Sequence, residues 1–262
     1  MLRPIYHFFS DQPELLAALQ RKFQLPPAES IADENERLVT RQLFGLLREA
    51  AIELGHKDIG LYVGAHLPVG CFGSVSFLMI AAATLREAID YACHYYSVVS
   101  YGEGSPHWVE DGPFFYIDFP HRAIDEADSV REDLKLAGGF SMINHAMNNQ
   151  FFPTAIEVRG DGGGYQQRYQ DWLHCESIVF NSEYSRIQGR SEWLDRPLTG
   201  ANPSLSRVFR KELDILLREL NDDRTIVDQI QHILASADNL RSVNISTVAA
   251  ELALGERTLA RQ

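Results

Sequence analysis

The chain of 262 residues carries 36 acids against 24 lysines and arginines, a formal net charge of −12, with 45% hydrophobic and 23% charged residues. That length buries a real core, and so acidic a balance excludes non-specific adhesion to nucleic acid or to an anionic membrane surface. Three widely spaced cysteines (Cys71, Cys93, Cys175) without CxxC or histidine spacing exclude a disulfide framework, and the lack of a long apolar run predicts neither export nor a membrane span, so the expected setting is cytoplasmic.

In chain order, residues 13 to 22 and 34 to 54 read as helices, the second with a stripe of Leu38, Leu43, Leu46, Leu47, Ala50 and Leu54 closed by Gly55. A shorter helix over 58 to 66 stops before Pro68 and Gly70. Residues 74 to 83 are apolar nearly all round, which predicts burial on every side, and Thr84 caps a further helix to about Ser100 bearing Tyr91, Tyr95 and Tyr96. Past Gly102, His107 to Glu110, the turn Asp111-Gly112-Pro113 and Phe114 to Phe119 predict a β-hairpin. Alternation puts Phe115, Ile117 and Phe119 on its core face, leaving Phe114, Tyr116 and Asp118 for solvent, a ligand or a partner. A long helix from about Asp125 to Asn149 opens with acids, as the helix dipole favours. A strand over 155 to 159, a glycine-rich loop, a helix near 165 to 173 and a second hairpin over 177 to 188 complete the body. The expected class is α+β: a helical N-terminal part, a mixed and mainly antiparallel sheet with packed helices, then an all-α linker.

Pro203 stands at the first position of a helix behind Asn202. Leu205, Phe209, Leu213, Leu216 and Leu220 form a seam along it that either pairs with a partner helix or covers the preceding domain. A further helix falls at about 225 to 235. Asn244 then caps a helix with Val248, Ala249 and Leu252 on one face, and Gly255 can cap a second with Leu259 inward and Arg257, Thr258, Arg261 and Gln262 outward. Polar donors at the start of such a helix suit phosphates and base edges in a major groove, whereas an ordinary helical hairpin with solvated arginines fits the same spacing.

The run Thr247-Val-Ala-Ala-Glu-Leu-Ala-Leu-Gly-Glu-Arg-Thr-Leu-Ala-Arg261 closely resembles the first helix-turn-helix of AraC/XylS-type transcriptional regulators, matching at Ala249, Leu252, Arg257, Thr258, Leu259 and Arg261. It departs at Ala253, where a turn glycine is usual, and at Gly255, where a capping serine is usual. Ile59-Gly-Leu-Tyr-Val-Gly64, continuing to Gly73, then Thr84 to Ile89, Leu194 to Leu198 and Asn202-Pro203, resemble the branch whose N-terminal domain is arabinose-binding-like. The resemblance implies an effector-sensing and dimerising domain over 1–202, a linker helix over 203–223 and, over 224–262, the beginning of a DNA-binding domain cut inside its first helix-turn-helix. It implies operator DNA, a small-molecule effector, a second copy and RNA polymerase as partners, and no cofactor. Arg257, Thr258, Arg261 and Gln262 would be the DNA contacts.

Catalytic spacing is absent from the sequence. Gly162-Gly163-Gly164 lacks the Gly-Lys-Ser/Thr of a phosphate loop and reads as a flexible turn; Gly139-Phe-Ser141 lacks the closing glycine of a nucleophile elbow. Histidines 94, 107, 121, 145 and 174 hold no metal spacing, and His145 reads as a dipole-stabilised residue near a helix end. Asp125, Glu126, Asp128, Glu132 and Asp133 read as a helix-start face rather than an acid/base pair. Phe72, Tyr95, Tyr101, Trp108 and Tyr116, with Phe115, supply aromatic material for an effector pocket or equally for core. The expectation is therefore a regulator and not an enzyme; the alternative is a stand-alone small-molecule-binding module or enzyme without nucleic acid.

Overall fold

The computed structural model describes residues 5–6, 8–26, 40–100, 104–120, 129–222, 230, 233 and 244–252. The first helices are α1 (Pro13–Phe23), α2 (Thr40–Leu54), α3 (Ile59–Ala65), α4 (Ser74–Ala81), α5 (Leu85–His94) and α6 (Tyr96–Val99). Strands β1 (His107–Asp111) and β2 (Phe114–Asp118) follow, then α7 (Ser129–Ala146), β3 (Ala155–Glu157), α8 (Gln166–Leu173), β4 (Ile178–Val179), β5 (Arg186–Arg190), α9 (Pro203–Asp222) and α10 (Ile245–Glu251). The single helix expected over 84 to 100 is two, divided at Tyr95. Its start is as expected, with the Thr84 hydroxyl accepting from the Glu87 amide.

The five strands lie in the order β1-β2-β5-β3-β4, all pairs antiparallel except β3 with β4. The hairpin expected over 177 to 188 does not form, because β3 lies between β4 and β5. Packing explains the exchange: Trp108, Ile117, Ile187, Ile156 and Ile178 fall opposite one another and make one apolar row across all five strands. A hairpin would have left Ile156 without an isoleucine on each side. The next row, on the other face of the sheet, is His107, Asp118, Arg186, Glu157 and Val179. A one-residue shift of register would exchange the two rows, which fixes the pairing. On β2, Phe115 and Ile117 are buried while Phe114, Tyr116 and Asp118 are half-buried, as the alternation predicts.

Helix α7 backs the inner face of the sheet and is buried along most of its length. Leu136, Ala137, Phe140 and Ile143 join the core under the sheet; Val130 and Leu134 join a second core built from Ile5, Phe9, α1, α2 and α3. What lets α3 cross α7 so closely is the pair Gly60 and Gly64, one helical turn apart. A Cβ at Gly60 would stand 2.0 Å from the Val130 carbonyl oxygen, and one at Gly64 would stand 2.7 Å from the Ala137 Cβ. The Ser141 hydroxyl donates to the Gly64 carbonyl at 2.7 Å across that contact. Buried inside α7 and bonded to backbone, Ser141 is no nucleophile.

Candidate functional site

Two places bring chemistry together: the seat of α9 on the body, and a charged cluster where α7 begins. The entry to α9 is pinned first. The Leu198 amide donates to Ala83 and the Asn202 amide to Ala81, each at 3.0 Å, and the Asn202 side chain then caps α9 by accepting from Ser204 and Leu205. Phe209 stacks on Phe77 with centroids 5.8 Å apart, and Leu213 buries against Val75, Leu78 and Tyr95, with Leu216 and Leu217 alongside. Polar ties ring this small apolar seat. The Tyr95 hydroxyl donates to Asp214 at 2.6 Å, the Ser74 hydroxyl to Glu212 at 2.8 Å, and the Arg210 guanidinium lies 5.7 Å from the Tyr91 ring centroid. Burial, then the Asp214 carboxylate, pushes the Tyr95 phenol up to about 12, so it remains a neutral donor at physiological pH.

Of the predicted seam, then, Phe209, Leu213 and Leu216 face the body, Leu220 is buried, and Leu205 is 47% exposed. The exposed apolar side chains of α9 are Leu205, Val208 and Ile215. In α10, the Asn244 side chain accepts from the Ser246 and Thr247 amides and Thr247 answers with its hydroxyl, while Val248 and Ala249 are buried. Arg257, Thr258, Arg261 and Gln262 lie outside the described residues, as does Tyr101.

The charged cluster was legible only in part. Glu132 and Asp133, expected on a helix-start face, are turned into the structure together with Lys135. The Asp133 carboxylate accepts from the Tyr165 hydroxyl at 2.7 Å and from the buried Tyr169 hydroxyl, and the two rings stack, Tyr165 at the N-cap of α8 and Tyr169 within it. Burial and the Asp133 charge hold both phenols well above their ordinary range. Lys135 donates to the Pro120 carbonyl at 2.8 Å and lies 3.6 Å from Glu132, which accepts from Ser185 at 3.1 Å. Beyond Ser185 the network continues along the outer row of the sheet. Arg186 meets Asp118 at 2.6 Å, in an ion pair too poorly aligned for a directed hydrogen bond, and Glu157 at 3.8 Å. Its guanidinium also lies 3.6 Å from the Tyr184 ring centroid. A signal existed in the sequence: Asp133 shares a helical face with Val130, Ala137 and Phe140, a carboxylate on an apolar stripe.

The aromatic set does not converge on one site. Phe72 packs with the N-terminal core, Tyr95 sits under α9, and Trp108 lies at the sheet edge, donating to Asp90 at 2.8 Å beneath Arg86. Tyr116 lies on the outer sheet face, 5.4 Å from the Arg186 guanidinium. The triple-glycine loop has positive φ at Gly162, Gly163 and Gly164, and the Asp161 carboxylate takes the Gly163 amide that an anion would require. His145 is a correction: burial, not the helix dipole, dominates and lowers its pKa. Among the described residues no group of three or more histidines, cysteines and acids is placed to hold a metal, and no helix is long and apolar enough to cross a membrane.

A body of helices backing a five-stranded sheet, with an exit helix seated on it, is a recognisable class. Residues 16–198 match the arabinose-binding domain of AraC transcription regulators, N-terminal, and the chain belongs to that family. The Ornithine utilization regulator of Pseudomonas aeruginosa is 20% identical over 206 residues, which is 79% of this chain and 60% of that protein. This chain therefore spans less than two thirds of that relative's length. The crystal structure of the transcriptional regulator CdpR from Pseudomonas aeruginosa shares the fold, with a TM-score of 0.56 at 14% identity over 95% of this chain and 76% of the other.

Proposed function

We propose that this chain is the sensor portion of a DNA-binding transcription regulator: residues 1–202 bind a small-molecule effector and dimerise, 203–223 transmit the state of that domain, and 224–262 begin the DNA-binding domain. The observation that carries this reading is the seat of α9. A helix that leaves the sensor toward α10 is held by a few apolar side chains and a rim of polar ties, so a modest change beneath it alters its position. An effector shifts such an equilibrium only by binding one arrangement better than the other. The polar handles for that effector are the Glu132, Lys135, Asp118 and Arg186 network, with Phe72, Trp108 and Tyr116 as secondary candidates. Arg257, Thr258, Arg261 and Gln262 contact operator DNA, and the complex acts on RNA polymerase from there in the cytoplasm.

The test uses the natural gene product that contains this chain. DNA selected from a random library is bound by the wild type and by Arg257→Ala and Arg261→Ala, and each lost contact weakens binding by about 5- to 150-fold, corresponding to roughly 1–3 kcal/mol. Unchanged affinity and sequence preference for both variants would remove the DNA-contact assignment. A thermal-shift screen then seeks the effector, beginning with basic amino acids because one relative is named for ornithine utilisation.

A further inference from the structure

Between Arg207 and Arg218, helix α9 carries four bases and two acids, and it sorts them by side. Both acids are turned to the body: Glu212 accepts from the Ser74 hydroxyl at 2.8 Å and Asp214 from the Tyr95 hydroxyl at 2.6 Å. Arg210 goes with them, over the Tyr91 ring. Arg207, Lys211 and Arg218 are exposed, and none of their side chains has an ion pair or hydrogen bond with a described residue. Spacing does not force this. Asp214 stands four residues from Arg218 and three from Lys211, separations at which helical ion pairs form, yet its carboxylate is held by Tyr95 instead.

At about 100° per residue, Lys211 and Arg218 fall within about 40° of Arg207, so the three bases form one ridge about 16.5 Å long. Phe209 and Leu213, which seat the helix on the body, lie on the far side, so the ridge points away from it. Glu219, an exposed acid of the same helix, is about 100° round from Arg218. A chain of net charge −12 repels polyanions over most of its surface, and this ridge is an exception to it. Each DNA strand carries one charge per ~3.4 Å of axis, so the ridge spans about five phosphates, within reach of long basic stems that need no fixed geometry. Position agrees, because α9 is the last long helix before the part assigned to DNA above.

We infer that the outer ridge of α9, Arg207, Lys211 and Arg218, binds the phosphate backbone of DNA beside the operator, adding affinity without sequence preference. This rests on the DNA-binding reading above. The test uses the natural gene product that contains this chain, with its selected DNA, and reads the slope of log affinity against log salt concentration. The variant Arg207→Gln/Lys211→Gln/Arg218→Gln lowers that slope by about 2 to 3 for each copy bound. The wild type's advantage therefore shrinks roughly 15- to 60-fold between about 50 and 200 mM salt, while the preference for selected over scrambled DNA is unchanged. Arg207→Lys/Arg218→Lys keeps the wild-type slope, because charge and not fork geometry is used. Arg21→Gln/Lys57→Gln/Arg159→Gln, which removes three exposed bases elsewhere, keeps it too. Circular dichroism establishes that each variant is folded. A wild type that binds no DNA overturns both the reading and the ridge. A wild type that binds, with the α9 variant at the same slope or the control variant lowered as far, overturns the ridge and spares the reading. An α9 variant that binds DNA normally but loses transcriptional activity also overturns it, and gives the ridge, with Val208 and Ile215 beside it, to an acidic protein surface.

Discussion

Helices α3 and α9 both lie across the body, and they are held in opposite ways. α3 meets α7 through Gly60 and Gly64 with backbone against backbone, and a single buried hydroxyl bridges them. α9 rests on a small apolar patch surrounded by hydroxyl–carboxylate bonds at its rim. Close packing of small residues has no intermediate state, because adding one methyl group forces the helices apart. A polar rim can exchange its bonds for water one at a time. The first suits a fixed frame and the second a part that can shift, so the two contacts differ in how readily each gives way.

The sharpest way to break that contrast is Gly60→Ala. Its methyl would fall on the Val130 carbonyl, which cannot yield without displacing α7, so a loss of about 3 kcal/mol follows and the melting temperature falls by roughly 6–12 °C. Calorimetry that finds the variant as stable as the wild type would mean the crossing is looser than described. Asp133→Ala comes next: it strips the acceptor from two phenols, one fully buried, and costs about 2 kcal/mol in urea unfolding. Tyr95→Phe and Asp214→Asn should each cost about 1 kcal/mol or less, yet raise hydrogen exchange in α9 while leaving α7 protected. Equal exchange in both helices would erase the distinction between frame and moving part.

Smaller still is a pH effect within the frame. Burial lowers the pKa of His145 below its ordinary 6.5, so the unfolded chain binds that proton more readily. The stability from burying the neutral ring is complete above the unfolded value and drains away as pH falls from there toward the folded one. Urea midpoints across that window should decline for the wild type and decline less for His145→Gln. The thiols supply a null expectation: burial pushes Cys71 and Cys93 up to about 12, so both should alkylate slowly at neutral pH until the frame opens.

Much of this division could be read from the sequence, and what could not has a physical cause. Thr84, Asn202 and Asn244 announce their helices because capping is local chemistry, and the β1–β2 hairpin follows from alternation around Asp111-Gly112-Pro113. The second hairpin misled because proximity in sequence favours pairing, whereas Ile156 gains an isoleucine on both sides by entering between β4 and β5. Glu132 and Asp133 looked solvated because the hydroxyls that donate to them, on Ser185 and Tyr165, are more than 30 residues away, a pairing no local pattern encodes. The leucine spacing of α9 was plain; which surface it meets was not, since one stripe serves either a partner or the chain's own body.

The order of the strands also sets a timetable. β2 and β3 never touch directly, for β5 lies between them, so the sheet stays in two pieces until residues 186–190 have left the ribosome. Until then the isoleucine row is split and its halves are exposed. Loop closure over that separation makes this step slow compared with forming the first hairpin. A nascent chain stalled before Arg186 would thus present two sticky edges, and the arrival of one short strand both completes the core and brings Pro203, with α9 behind it, to the place where it docks.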